Sequence, residues 1–180
     1  MSNHSNTLPD VKNAFWSMAK LILKDIITDN PDKWIRKMYP KGGAPDFTIS
    51  DNVVFLNATP RDDDYSKQRD SVYKTEQGTV MRNSMRTRVW DIKAQAYGPR
   101  AYDVVTAMKD GVFLPEVQML LAKKGFYLVP NMPVPIQANE IFAGQWWERW
   151  DITLTFNEEY LSKQDVGAIE HVYIRAEALR

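Results

Sequence analysis

The sequence predicts an α+β fold, a mainly antiparallel sheet of about four to six strands covered by helices, with a long polar arm or loop. Three observations lead there. Residues 146–156 read Trp-Trp-Glu-Arg-Trp-Asp-Ile-Thr-Leu-Thr-Phe. At period two, Trp146, Trp150, Ile152, Leu154 and Phe156 share one face, and Trp147, Arg149, Asp151, Thr153 and Thr155 the other. That is a half-buried strand, with Glu148 as the polar residue on its apolar face, so Glu148 lies at the sheet margin or has a partner. Residues 79–97 form a second long strand whose later half alternates Trp90, Ile92, Ala94 and Ala96 against Asp91, Lys93 and Gln95. Connections such as 157–165 are too short for a crossover helix, so the pairings are antiparallel.

Taken in order, the first residues are polar and loose up to about residue 9. Pro9 and Asp10 open a helix, since proline and a carboxylate both suit a first turn. Val11, Phe15, Met18, Ile22 and Ile26 recur at helical spacing, with Ala14 and Ala19 widening the stripe, so this helix covers one sheet face. Trp16 and Leu23 lie off the stripe and point to a second surface. Asn30-Pro31-Asp32 reads as a cap and first-turn proline for a short helix through Trp34 and Met38 that stops by Pro40. Residues 41–45 read as a flexible connector. Residues 47–49 and 53–58 have strand composition, with a turn at 50–52.

Residues 59–78 are almost wholly polar and carry three consecutive aspartates, Asp62, Asp63 and Asp64. Such a segment cannot hold itself in a core, and a loop of about twenty residues inside a domain is usually functional or disordered. The strand that follows carries Arg82, Arg86 and Arg88 in its first half, which is expected to project beyond the sheet. Gly98-Pro99 turns the chain into a helix facing inward through Ala101, Val104 or Val105, and Met108, ended by Asp110-Gly111. Leu114-Pro115-Glu116 starts another, with Val117, Leu120 and Leu121 inward and Gly125 as its stop. Residues 126–129 form a short strand, residues 130–135 are extended, the central strand follows at Trp146, and residues 166–179 read as the last strand.

The chain has 180 residues, enough for one domain with a full core, and a single domain over 1–180 is expected. Hydrophobic residues make up 44% and charged residues 26%, the balance of a globular protein rather than a disordered one. Lys+Arg and Asp+Glu are both 23, so no excess positive charge draws the chain onto nucleic acid, and no net charge opposes self-association. With no cysteine there is no thiolate catalysis, disulfide framework or cysteine-ligated zinc. No apolar run reaches the roughly 18 residues of a membrane span, and residues 1–7 lack signal-peptide character, so a cytoplasmic setting without a membrane partner is expected.

The chemistry-bearing clusters read better as structure. Trp146, Trp147 and Trp150 beside Glu148 and Arg149 can form a platform for a sugar or base, but core plus interface is favoured, with Trp147 pointing away from the core. Arg82, Arg86 and Arg88 share a face and suit a solvated arm or a subunit contact better than a phosphate backbone. Asp62 to Asp64 with Asp70 lack the glycine and distal glutamate of a calcium loop, so no metal is expected. Glu148 and Glu170 in unproven proximity are a weak basis for acid–base work, and no nucleophile elbow or phosphate loop is present, so neither an enzyme nor a cofactor is expected.

Several segments together carry a resemblance. A strand ends Trp90-Asp91-Ile92-Lys93-Ala94-Gln95-Ala96-Tyr97-Gly98-Pro99, a helix follows, then Leu114-Pro115-Glu116-Val117, then residues 147–156, then Asp165-Val166-Gly167-Ala168-Ile169-Glu170-His171-Val172. This order resembles the neck or tail terminator proteins of contractile-tailed bacteriophages over roughly residues 87–174. The resemblance implies a non-enzymatic α+β virion subunit, assembled in the host cytoplasm, that forms a hexameric ring, caps the tail tube and joins it to the head connector. The tail sheath protein is a further partner, and DNA passes through the channel without specific binding. Under that expectation the interface or channel residues are Asp62, Asp63, Asp64, Arg82, Arg86, Arg88, Trp147 and Arg149, with the aspartates bordering the lumen. A head completion or sheath-capping subunit is the neighbouring alternative. A carbohydrate- or nucleotide-binding module using the tryptophans is the alternative from another class.

Overall fold

The first helix, α1 (Leu8–Ile22), begins where Thr7 and Asp10 form a reciprocal cap. The Asp10 carboxylate accepts from the Thr7 N–H at 2.9 Å and hydroxyl at 2.6 Å, and the Asp10 N–H donates to Thr7 Oγ1. In the computed structural model the described residues are 6–28, 30–39, 46–76 and 79–167. Helix α1 buries Val11, Ala14, Phe15, Met18, Ala19 and Ile22; Ile26 lies beyond its end, in the turn that Leu23 closes. Trp16 meets the second surface, donating from Nε1 to the Ile35 carbonyl at 2.7 Å.

Helix α2 (Pro31–Trp34) is one turn, and Asn30 supplies no side-chain cap. The chain then becomes β1 (Ile35–Lys37), parallel to β2 (Val53–Pro60). The expected helix through Met38 is therefore overturned: Ile35 is buried in the core, and the Met38 N–H donates to Leu56 at 2.8 Å, so pairing with β2 outweighs local helical spacing. Residues 41–45 lie outside the described residues. The strand expected at 47–49 is absent, because Thr48 and Asp51 close a turn through the Asp51 carboxylate, at 2.7 Å from the Thr48 N–H.

Polar residues 59–76 build an arm. After the one-turn α3 (Asp64–Lys67), β3 (Asp70–Glu76) pairs antiparallel with β4 (Thr79–Tyr97), from Asp70↔Met85 to Glu76↔Thr79. The strand is held by backbone pairing and stays exposed, which is why no hydrophobic alternation announces it. Helix α4 (Ala101–Gly111) and helix α5 (Pro115–Ala122) follow as expected, with Ala101, Val104, Val105, Met108, Val117 and Leu121 buried. Then come β5 (Phe126–Leu128), β6 (Ile136–Gln137), β7 (Glu140–Phe142), β8 (Gln145–Trp147) and β9 (Arg149–Val166).

The long strand begins at Arg149, because the chain breaks at Glu148, and it runs on through the stretch expected to be a polar connection. It pairs with β4 over the whole register from Val80↔Val166 to Tyr97↔Arg149. Backbone pairing carries it past Phe156, where side-chain hydrophobicity stops. Residues 168–180, most of the expected last strand and both Glu170 and His171, lie outside the described residues.

The sheet order is β1-β2-β4-β9-β5, with β3 beside β4 and β6 beside β9, while β7 and β8 form a separate hairpin. Seven strands result because β1, β3 and β6 join those marked by composition. Helices α1, α4 and α5 cover the face that carries Leu56, Trp90, Ile92, Ala94, Ala96, Ile152, Leu154 and Phe156. Phe15 sits at the centre, its ring 5.0 Å from Phe126 and 4.7 Å from Phe156; three interlocked aromatic rings of this kind each contribute about 1.5–3 kcal/mol by burial.

Candidate functional site

The face of the sheet away from the helices is charged, partly covered and self-neutralising. Asp151 stands at its centre. It accepts from Arg149 Nε at 2.7 Å and Nη2 at 2.6 Å, from Gln95 Nε2 at 3.0 Å, and lies 3.2 Å from Lys93 Nζ. Arg149 also pairs with Glu140, whose other oxygen accepts from the Tyr97 hydroxyl at 3.1 Å. Burial pushes the Tyr97 hydroxyl pKa up, and the nearby Arg149 cation opposes that shift. Further along, Asp91 accepts from Thr155 Oγ1 at 3.0 Å and lies 3.6 Å from Arg61. Each carboxylate has its cation, so another protein can cover this face without stranding a charge.

At one end the polar face gives way to an aromatic corner. Phe47 packs on Phe55 at 5.7 Å, Tyr97 at 5.6 Å and Trp147 at 5.3 Å. Trp147 and Arg149 are thus neighbours at one corner, brought there by successive odd positions across the Glu148 break. The three tryptophans do not form a platform. Trp146 is 67% exposed, and Trp150 packs against Tyr102 at 4.8 Å while donating to Glu148. The expectation that Trp146 lies on the buried face is overturned, because the break at Glu148 leaves Trp146 in the separate β7–β8 hairpin, away from the helices that would cover it. Glu148 itself is exposed at the margin.

Beyond Trp90, β4 and β9 leave the helical cover and continue with β3 as a three-stranded arm. Arg82, Arg86 and Arg88 do share one face of it, opposite Gln164, Tyr160 and Glu158. Their environments differ. Arg88 turns inward to Glu158, and its guanidinium lies 4.7 Å from the Tyr160 ring centroid. Arg86 also lies over that ring, 4.5 Å from its centroid, and Arg82 reaches Ser71 on β3.

Sequence reasoning missed Glu158, a fully buried carboxylate that accepts from Arg88, from Trp90 Nε1 at 2.6 Å and from Asn6 Nδ2 at 2.9 Å. The available signal was length: a strand spanning 79–97 needs a partner as long, so the 157–165 stretch could have been read as strand, while the register that sets Glu158 opposite Arg88 comes from the fold.

The three aspartates sit where the arm leaves the body. Asp63 caps α3 by accepting from the Tyr65 N–H at 3.0 Å. Asp62 and Asp64 are exposed and share Lys67, at 3.3 and 3.2 Å, and Asp64 leads the carboxylates that raise the Lys67 pKa. Among the described residues, no group of acidic, histidine or cysteine side chains is arranged to hold a metal ion. No described helix is long and apolar enough to cross a membrane.

The described surface thus has a self-neutralised sheet face, an arm beyond the helical cover and an exposed aromatic hairpin. No curated protein matches this sequence. A sequence model described as phage neck terminator protein matches residues 18–177, and the chain therefore belongs to that family, whose members are structural proteins of the phage neck and tail.

Proposed function

We propose that this subunit assembles with copies of itself into a closed ring of six that caps the finished tail tube and joins it to the head connector. The observation that carries this reading is the division of the β4–β9 ladder. From Trp90 to Tyr97 it lies under helices; from Val80 to Thr87 it runs on beyond them and beyond β5, with β3 alongside β4 as far as Met85. Eight residue pairs at about 3.4 Å each make an arm of roughly 25 Å, long enough to reach across a neighbour. An arm leaving one side and a self-neutralised face on another give head-to-tail contacts, which close into a ring when the rotation permits. Six is the number implied by the resemblance to contractile-tail terminators.

In this reading Arg82, Arg86 and Trp147 meet neighbouring subunits, whereas Arg88 and Arg149 hold the arm root and the sheet face in shape for that contact. Asp62, Asp63 and Asp64 border the channel, where negative charge keeps passing DNA from adhering. The zero net charge is consistent with DNA that passes without being bound. The tail tube protein and the head connector contact opposite faces of the ring, and the tail sheath meets its rim.

The test is electron microscopy of tail tubes assembled with and without the protein. A single ring at the head-proximal end of tubes that stop growing is the expected result. Tubes that grow on with bare ends, or protein found only at the capsid portal, would overturn the reading in favour of a head completion subunit.

A further inference from the structure

We propose that the β7–β8 hairpin is the element by which one subunit grips the next, its apolar tip seated on the α4–α5 corner of a second copy of this chain. The inference rests on the ring reading above and names the contact that closes it. Ile141 and Trp146 are direct cross-strand partners, so their side chains share one face of the hairpin. They are 62% and 67% exposed, while Phe142, paired with Gln145, lies on the other face against the Trp147 ring at 6.1 Å. From Ile141 to Trp147 the chain reads Ile-Phe-Ala-Gly-Gln-Trp-Trp, without a charge.

The hairpin is preorganised. Its two turn residues, Ala143 and Gly144, both have positive φ, 50° and 77°, as the tightest hairpin turn requires. Its base is tied to the body by Glu140 on Arg149 and Tyr97, and by Trp147 on Phe47. An apolar knob held this firmly loses little conformational entropy when it docks.

The same chain carries a matching surface. Phe113 and Leu114, in the α4–α5 turn, and Met119 on α5 are 48%, 42% and 60% exposed. This corner belongs to the helical layer, across the sheet from the Asp151 network, and residues 111–115 are also uncharged. Methionine adapts its shape to an incoming ring. Two different apolar patches on one chain, with no net charge to hold copies apart, make the second copy the fitting occupant. Trp146 and Ile141 together offer roughly 200–300 Å², an anchor for an interface whose rim is the polar surface around it.

Because the chain has no cysteine, a single introduced pair reports the contact without background. Full-length Ile141→Cys/Met119→Cys protein, assembled on tail tubes and oxidised, should give a ladder of cross-linked subunits ending at the ring size. Either single variant alone should give none. Full-length Trp146→Asp, its unfolding curve unchanged because the side chain is exposed, should assemble at least tenfold more weakly. A wild-type ring accompanied by an equally stable Trp146→Asp ring, by an absent ladder, or by self-cross-linking of Ile141→Cys overturns this contact and leaves the ring. Absence of any ring from the wild-type protein overturns the ring reading itself and this contact with it.

Discussion

Arg88 and Glu158 face each other across β4 and β9, 2.6 Å apart, with the glutamate wholly buried and the arginine side chain 23% exposed. The pair stands where the ladder passes from helix-covered body to free arm. Arg88 also donates to the Asn6 carbonyl at 2.7 Å, and Asn6 Nδ2 bonds both Glu158 and the Lys124 carbonyl. One ion pair thus joins the entry to α1, the turn after α5 and the root of the arm.

Removing the arginine leaves a buried carboxylate without its cation. Arg88→Ala should cost about 3–5 kcal/mol in urea unfolding. Glu158→Gln should cost less, since the freed guanidinium can turn toward water. The double variant Arg88→Met/Glu158→Leu should recover most of the loss, because it removes both desolvation penalties. An Arg88→Ala loss below about 1 kcal/mol would mean that the pair behaves as a surface salt bridge.

Gly98 turns the chain from β4 into α4 with φ at 103°, and a Cβ there would come within 2.2 Å of the Asp51 carbonyl oxygen. The obstruction is backbone, which cannot swing aside. Gly98→Ala should therefore destabilise by more than about 2 kcal/mol, combining the positive φ with a steric clash. A melting curve matching the wild type would show that the turn can be rebuilt.

Asp10 and Asp51 hold their carboxyls below the ordinary value of 3.8. For Asp10 the main cause is the hydrogen bond from the Thr7 side chain; for Asp51 it is the Thr48 backbone N–H. A depressed folded-state pKa gives stability that is complete above the unfolded value and fades as pH falls through the folded one. Unfolding measured from pH 5 down to about pH 2 should lose this contribution in the acid limb. Asp10→Asn and Asp51→Asn should each flatten that limb, and an unchanged slope would contradict the assignment.

Asp62 and Asp64 are exposed and share one lysine. Asp62→Asn/Asp64→Asn should leave the unfolding curve as it is, while assembled particles retain DNA more strongly at low salt and lose the difference at high salt. DNA release equal to wild type at every salt concentration would move these residues to the outer wall.

Much of the fold was legible wherever side-chain burial made the secondary structure. Helix α1, α4, α5 and the alternating body of β4 all announce themselves through apolar spacing, because each buries one face. The arm was legible only as a polar segment. Its strand β3 and the far half of β9 are made by backbone hydrogen bonds, which any polar residue can supply. Similarly, β1 was hidden because Trp34 and Met38 fit a helical spacing until β2 offers a neighbour to pair with. Of the expected contact residues, the aspartates, Arg82 and Trp147 lie on accessible or partly covered surface; Arg88 was named without its partner.

By itself, the sequence determined an α+β protein with a helix-covered sheet, an acid–base balance of zero and a family resemblance carried by the order of its second-half segments, because composition and periodicity record which side chains must leave water. Only the tertiary structure decided that Glu158 is buried under Arg88, that Trp146 points outward and that the polar stretches form an arm. Those outcomes depend on which strand lies beside which, and a register is a relation between distant residues that no local pattern encodes.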